Sequence, residues 1–262
     1  MKFERVKLAI DGGVAVLTLN HPEVMNATSL TMLGGFAAAL DHVEGAGDVR
    51  CLVITGEGRA FCAGANLRER PDSGTRPPES GSVLETHYHP LLRRLRLLHC
   101  PIVTAVNGAA AGVGMSLALS GDLVTAARSA YFLQAFRRIG LVPDGGSTWL
   151  LPRLIGRARA LELSLLGERL PAETALQWGL INRVFDDAAL MSEAMKLAHD
   201  LANGPTRALG LMRQLYWDSP DATYEQQLNA ERQAQKLAGR SEDFKEGVAA
   251  FIEKRPAKFK GR

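Results

Sequence analysis

A chain of 262 residues, 46% hydrophobic and 23% charged, carries enough apolar material for one substantial core, which excludes a disordered chain and a small disulfide-stapled scaffold. Its 31 basic and 28 acidic residues leave a formal charge of +3, too mild to argue for nucleic acid and compatible with a small anionic ligand. No apolar run reaches membrane-spanning length and the first residues read as lacking a secretory signal, so the expectation is a soluble cytoplasmic protein. Cys51, Cys62 and Cys100 form an odd trio among apolar residues, which suits buried reduced thiols. His87, His89, His99 and Cys100 match no standard zinc spacing, and no metal is expected.

Val14-Ala15-Val16-Leu17-Thr18-Leu19 follows the Asp11-Gly12-Gly13 turn and reads as the second strand of a hairpin whose first strand is 6–10. Residues 30–43 have helical spacing, and Cys51-Leu52-Val53-Ile54-Thr55 is a short apolar strand closed by Gly56-Glu57-Gly58. Residues 70–83, with Pro71, Gly74, Pro77, Pro78 and Gly81, read as a loop bordering a site. A helix is predicted at 91–98, a buried strand at 101–106, a helix at 112–119 and a strand at 123–126. Apolar strands alternating with helices imply parallel pairing with both faces covered, an α/β core. After Arg157 strand signals thin out, and helices are predicted at 159–167, 171–179, 187–202, 205–216, 224–239 and 241–253. Ser241 followed by Glu242 and Asp243 is a helix start, a capping hydroxyl with acids in the first turn.

Two glycine-bearing turns follow predicted strands, where α/β sheets place ligands. Ala60-Phe61-Cys62-Ala63-Gly64-Ala65-Asn66-Leu67 leaves the 51–55 strand, and Asn107-Gly108-Ala109-Ala110-Ala111-Gly112-Val113-Gly114 leaves the 101–106 strand. Small residues let a ligand approach main-chain N–H groups, though the same glycines equally suit tight packing. A third turn, Gly140-Leu141-Val142-Pro143-Asp144-Gly145-Gly146, holds a lone acid. Taken alone, Asp144 reads as well as a turn cap as a proton-transfer group.

The ordered set of these segments resembles the crotonase, or enoyl-CoA hydratase/isomerase, superfamily over nearly the whole chain. Trp178-Gly179-Leu180-Ile181-Asn182-Arg183-Val184 and Glu246-Gly247-Val248-Ala249-Ala250-Phe251 extend the likeness. The resemblance implies a spiral of ββα turns over 1–200 and a helical C-terminal trimerisation region over 201–262, giving a homotrimer or dimer of trimers. It implies an acyl-CoA thioester as substrate, coenzyme A being part of that substrate and no other cofactor being needed. It further implies an oxyanion hole formed by the N–H groups of Ala65 and Val113, each such donor being worth about 3 kcal/mol of barrier.

Hydratases of the family carry two glutamates at positions that match Ser116 and Phe136, neither of which ionises. Adding water calls for activating the water and protonating a carbon, so their replacement argues against efficient hydration. Asp144 stands where the isomerases carry their single acid, and one carboxylate can remove a proton at one carbon and return it at another. The nearest likeness is to the branch that isomerises ring-1,2-epoxyphenylacetyl-CoA and unsaturated acyl-CoAs. The apolar neighbours Phe136, Leu141, Val142 and Trp149 are expected to disfavour the charged carboxyl. Predicted contacts to substrate come from Ala63, Ala65, Asn66, Leu67, Gly112, Phe136, Trp149 and Lys254, with Lys258 reaching toward CoA phosphates from the basic tail. Val24 stands where the family often has a basic residue. His89 lies near the position of a histidine in the family's aromatic dehalogenases, whose nucleophilic aspartate matches Asp144 and whose tryptophan falls at Phe136. Arg93, Arg94 and Arg96 read as a solvated face, and 30–43 lacks the lysines of RNA-binding relatives.

Overall fold

The structure, a computed structural model, describes residues 1–69 and 80–262. Most of the predicted 70–83 loop lies outside the described residues; its last four, Ser80–Val83, are helical.

Strands β1 (Lys2–Phe3), β2 (Val6–Asp11) and β3 (Val14–Leu19) form an antiparallel meander, with the predicted hairpin turning at Gly12 and Gly13. Both glycines have positive φ, which is what the tight turn asks of its residues. Helix α1 (Leu30–Gly45) starts at Ser29, whose hydroxyl accepts the Met32 N–H. It is followed by β4 (Cys51–Gly56) and the short β5 (Ala60–Cys62). Helix α2 (Ser80–Val83) runs through a π-helical turn at Leu84–Tyr88 into α3 (His89–Leu97).

The unit then repeats: β6 (Ile102–Val106), β7 (Ala109–Ala111) and α4 (Val113–Ala118), then β8 (Leu123–Ala127), β9 (Tyr131–Leu133) and α5 (Ser147–Leu166). In each repeat a long strand is followed by a three-residue strand and a helix, a ββα spiral. Among the described residues the long strands build one sheet in the order β1-β2-β3-β4-β6-β8-β11, parallel from β3 onward, where β11 is Arg183–Phe185. The short strands build a second sheet in the order β10-β9-β7-β5, where β10 is Arg169–Pro171.

Strand β6 is buried at every residue, and β4 at every residue but Gly56, as parallel strands covered on both faces must be. After α6 (Ala172–Gln177), helix α7 (Leu190–Asn203) lies across β3, β4, β6, β8 and β11. Ala194, Ala198 and Ala202 recur at four-residue spacing on its buried face, and their small side chains let the helix lie close to the sheet. Helix α7 runs continuously through residues 200 and 201, and α8 (Thr206–Asp218) follows it. Arg213 fixes α8 to the core: its buried guanidinium donates to Asp122 at 2.8 Å and to the carbonyls of Leu95, Arg96 and Leu98.

Helices α9 (Tyr224–Ala238) and α10 (Glu242–Glu253) complete the chain, α10 being capped by Ser241 as its sequence implied. The basic tail folds back on α10, where Arg255 pairs with Glu246 and the N–H groups of Lys260 and Gly261 donate to Asp243.

Three expectations change. Strands β10 and β11 fall largely in the gaps between the helices predicted after Arg157, where no strand was expected, β10 overlapping the predicted 171–179 helix at Pro171. Residues 159–167 are the second half of a longer helix, broken at Gly156 (φ 76°, ψ 159°). The runs 60–62 and 109–111, read as parts of turns, are strands.

Candidate active site

The two glycine turns meet. A Cβ built on Gly64 would stand 3.9 Å from the Gly112 Cα, and one on Gly112 the same distance from the Gly64 Cα. Behind them Gly114 presses α4 onto β5 so closely that a Cβ there would lie 2.2 Å from the Cys62 carbonyl oxygen. Only glycine permits that approach. Asn26, fully buried, anchors the neighbouring loop by donating to the carbonyls of Glu57 and Ala60 and accepting the His21 N–H.

Local pairing decides where the Ala65 N–H points. Thr28 N–H donates to the Gly64 carbonyl at 2.7 Å, and Asn66 N–H donates to the Thr28 carbonyl at 2.7 Å, so Thr28 uses the groups on either side of Ala65. In such a parallel bridge the bridged residue's own N–H faces away from its partner. Val113 is the first residue of α4, where an N–H has no intrahelical acceptor. Among the described residues neither N–H donates a hydrogen bond, and both residues line one cleft of about 310 Å³.

The carbonyl of each donor's own peptide is doubly bonded. Gly64 O accepts Thr28 N–H and Thr28 Oγ1 (3.2 Å), and Thr28 Oγ1 in turn pairs with Tyr88 Oη at 2.6 Å. Gly112 O accepts the N–H groups of Met115 (3.0 Å) and Ser116 (3.4 Å). Hydrogen bonds to a peptide carbonyl polarise its N–H, so both groups are strengthened as donors.

Asp144 enters the same cleft from the third turn, where Gly140, Gly145 and Gly146 all take positive φ. The turn packs on α4: a Cβ on Gly145 would meet the Ser116 Cβ at 2.7 Å. The Asp144 Oδ1 is buried and has no hydrogen-bond partner among the described residues. Burial pushes the carboxyl up from 3.8 to about 6.

Of the residues predicted to act on or touch substrate, Ala63, Ala65, Asn66, Leu67, Gly112, Val113, Phe136 and Asp144 all line this cleft, as does Gly64. Two others do not. Trp149 sits in the first turn of α5 and faces a different cavity, where it stacks on Trp217 with centroids 5.9 Å apart beneath the Arg153 guanidinium. Lys254 caps α10 in left-handed conformation and lines no part of the cleft within one chain.

Of the four apolar neighbours expected to raise the carboxyl's pKa, Phe136 and Leu141 face the cleft, whereas Val142 is 79% exposed and Trp149 looks elsewhere. His89 and Ser116 line an adjacent cavity behind the Asp144 turn. Arg94 bonds Asp41 and Glu44, and Arg96 bonds Asp218.

Sequence reasoning missed Thr28, Ser29, Tyr88 and Arg138, which also line the cleft. Tyr88 closes the π-helical turn before α3, and its hydroxyl is pushed up to about 12 by burial. A π turn is a recurrent marker of functional sites, but it is not legible as a sequence period.

The sequence pattern of the enoyl-CoA hydratase/isomerase family matches residues 9–262. The chain is 49% identical to the 1,2-epoxyphenylacetyl-CoA isomerase of Escherichia coli over 97% of both proteins. It is 42% identical, over the whole of both, to a probable enoyl-CoA hydratase of Rhodobacter capsulatus. Among solved structures, an enoyl-CoA hydratase/isomerase from Mycobacterium abscessus superposes with a TM-score of 0.93 at 36% identity, covering 98% of this chain and all of that one. With its ββα spiral and these matches along its length, the chain belongs to the enoyl-CoA hydratase/isomerase, or crotonase, family of enzymes.

Proposed function

We propose that this enzyme is an acyl-CoA isomerase in which Asp144 serves as both acid and base against an enolate held by Ala65 and Val113. The observation that carries the reading is the half-buried Asp144 carboxyl, one oxygen unpartnered among the described residues, lining the same cleft as two N–H groups that donate to none of those residues. The thioester carbonyl accepts both N–H groups. Asp144 then takes a proton from a carbon conjugated to that carbonyl, and the electron pair moves onto the carbonyl oxygen as the thioester enolate. The same carboxyl returns its proton to a different carbon, and the double bond has moved with no net change in composition. An epoxide on the ring of a phenylacetyl-CoA, like the one named for the Escherichia coli relative, suits the same pair of groups. The raised pKa supports this assignment, because a carboxyl near 6 can hold and release a proton close to neutral pH.

Ser116 and Phe136 offer no second carboxyl, which supports isomerisation over hydration. The exposed apolar side chains of α10, Phe244, Val248, Phe251 and Ile252, support assembly as a trimer or a dimer of trimers, and Lys254 and Lys258 would then meet CoA phosphates of a neighbouring subunit. Three buried free cysteines support a reducing, cytoplasmic setting, and no cofactor beyond the CoA of the substrate is needed.

A panel of unsaturated and ring-epoxidised aromatic acyl-CoAs, analysed by mass spectrometry, tests the reading. Isomerisation leaves the mass unchanged and in deuterated water introduces solvent deuterium, whereas a product heavier by one water overturns it. Asp144→Asn is expected to lower turnover about 10³-fold with acyl-CoA affinity nearly intact. Normal turnover by that variant removes Asp144 from the chemistry.

A further inference from the structure

The backbone of Asp144 is clamped although its carboxyl is not. Its carbonyl oxygen accepts the Ser116 hydroxyl at 3.0 Å, the Ser147 hydroxyl at 2.8 Å and the Ser147 N–H at 3.1 Å. Both serines are fully buried. Ser147 opens α5, the helix that the Asp144 turn feeds, whereas Ser116 belongs to α4 and lies 28 residues away in sequence. The contact between turn and helix has no slack, because a Cβ on Gly145 would meet the Ser116 Cβ at 2.7 Å and its Oγ at 2.9 Å.

Ser116 and Val113 lie one turn apart on α4. The hydrogen bond from Ser116 therefore ties the loop bearing the acid to the helix bearing one of the two donors, and a single helical turn sets the separation of base and enolate oxygen.

Resting on the role of Asp144 given above, we propose that Ser116 and Ser147 are positioning residues whose hydroxyls hold the Asp144 carbonyl against α4, fixing the carboxyl over the Ala65 and Val113 donors and shielding it from water. The position at which hydratases of the family carry a glutamate thus serves here to hold the one acid in place. Neither serine touches substrate in this scheme. Among the described residues, the charged and titratable groups that line the two cavities beside Asp144 are Tyr88, Glu69 and Arg138 in the cleft wall and His89, Arg93 and Arg96 in the adjacent cavity, with Cys62 close to Tyr88. All are unchanged when the serines are replaced.

The test compares Ser116→Ala, Ser116→Cys, Ser147→Ala and the double alanine variant in the full-length enzyme. Two readouts are taken: kcat and KM on the acyl-CoA that the wild type turns over, and the titration of the Asp144 carboxyl by ¹³C NMR, assigned by the signal missing from Asp144→Asn. Each single alanine variant is expected to lose about 10-fold in kcat and the double variant about 100-fold, with KM within about twofold of wild type. The carboxyl titration should move down from about 6 toward the ordinary carboxylate range as water reaches it. Cysteine fills the space of serine but donates weakly, so Ser116→Cys should behave like Ser116→Ala.

Wild-type kcat and titration in Ser116→Cys would assign the residue to packing alone and overturn the proposal, as would unchanged values in the double variant. Should Ser116→Ala fold poorly by circular dichroism, Ser147→Ala tests the same carbonyl from the other helix. The NMR titration needs no turnover, so it judges the clamp even where the isomerase reading fails. An inactive Asp144→Asn beside serine variants of wild-type rate and titration sinks the clamp alone.

Discussion

On one side of the cleft the Gly64 carbonyl takes two hydrogen bonds from Thr28, the Gly112 carbonyl takes two from its own helix, and Gly114 leaves no room for a Cβ. On the other side Asp144 Oδ1 takes none among the described residues, and its turn exposes Leu141 and Val142 to solvent. Charge that appears only during reaction is best met by dipoles already fixed in place, which is what a wall of satisfied carbonyls and packed glycines provides. A carboxyl that must both take and give a proton near neutral pH needs the reverse: its charged form must lack support. The backbone on both sides is firmly held and the functional groups on both are left unengaged among the described residues; the walls differ in that hydrogen bonds behind the two donors polarise them, whereas the charged carboxyl has no such support.

The contrast is broken most severely from the donor side. Gly114→Ala places a Cβ 2.2 Å from the Cys62 carbonyl oxygen and 2.8 Å from the Cys62 Cβ, so α4 must move off β5. Overpacking against backbone is expected to cost about 3 kcal/mol or more of stability and to abolish turnover by displacing Val113, which urea denaturation and the acyl-CoA assay would read together.

On the acid side, the unpartnered carboxyl should carry a stability cost that Asn escapes. The folded carboxyl keeps its proton up to about pH 6 while the unfolded one releases it near 3.8, so the folded state binds more protons in that window and wild-type stability falls as pH rises through it. Asp144→Asn should therefore be more stable than wild type at pH 7, by on the order of 2 kcal/mol, with the gap closing as pH falls from 6 to below 4. Thermal melts of the two proteins across that range check it, and a constant gap would mean that Asp144 is better solvated than its burial implies. The same group predicts an acidic limb in kcat/KM near pH 6 that vanishes with the residual activity of the variant.

The smallest effect sharpens the polarised wall. Thr28→Val keeps the side-chain shape but removes one hydrogen bond from the Gly64 carbonyl and the partner of the Tyr88 hydroxyl. Turnover is expected to fall about fivefold with little change in KM, because one dipole behind the Ala65 donor is lost while the N–H stays in place. A larger rise in KM than fall in kcat would place Thr28 in ground-state binding instead.

Much of the main sheet is legible in the chain. Strands β3, β4 and β6 are apolar runs long enough to carry a signal, bounded by Gly13, Gly56 and Gly108. The second sheet is not, because 60–62 and 109–111 are three residues each and show no period; pairing with β7 and β9 makes them strands. In the site, Asp144 could be singled out because Ser116 and Phe136 cannot ionise. Trp149 could not be placed correctly: nearness in sequence to Asp144 says nothing about which side of α5 faces the cleft, and Trp217 captures the ring. Tyr88 and Thr28 carried no signal, since their hydroxyls acquire a role only by pairing across 60 residues.

The sequence by itself determined the α/β class, the family, and the short set of residues able to do proton chemistry, because residue type limits what can ionise and where backbone can be approached. The tertiary structure alone decided that Gly64 and Gly112 meet, that Thr28 turns the Ala65 N–H outward, and that Asp144 lies half-buried with one oxygen unpaired among the described residues. Those outcomes depend on contacts between segments tens of residues apart, and no local pattern encodes such contacts.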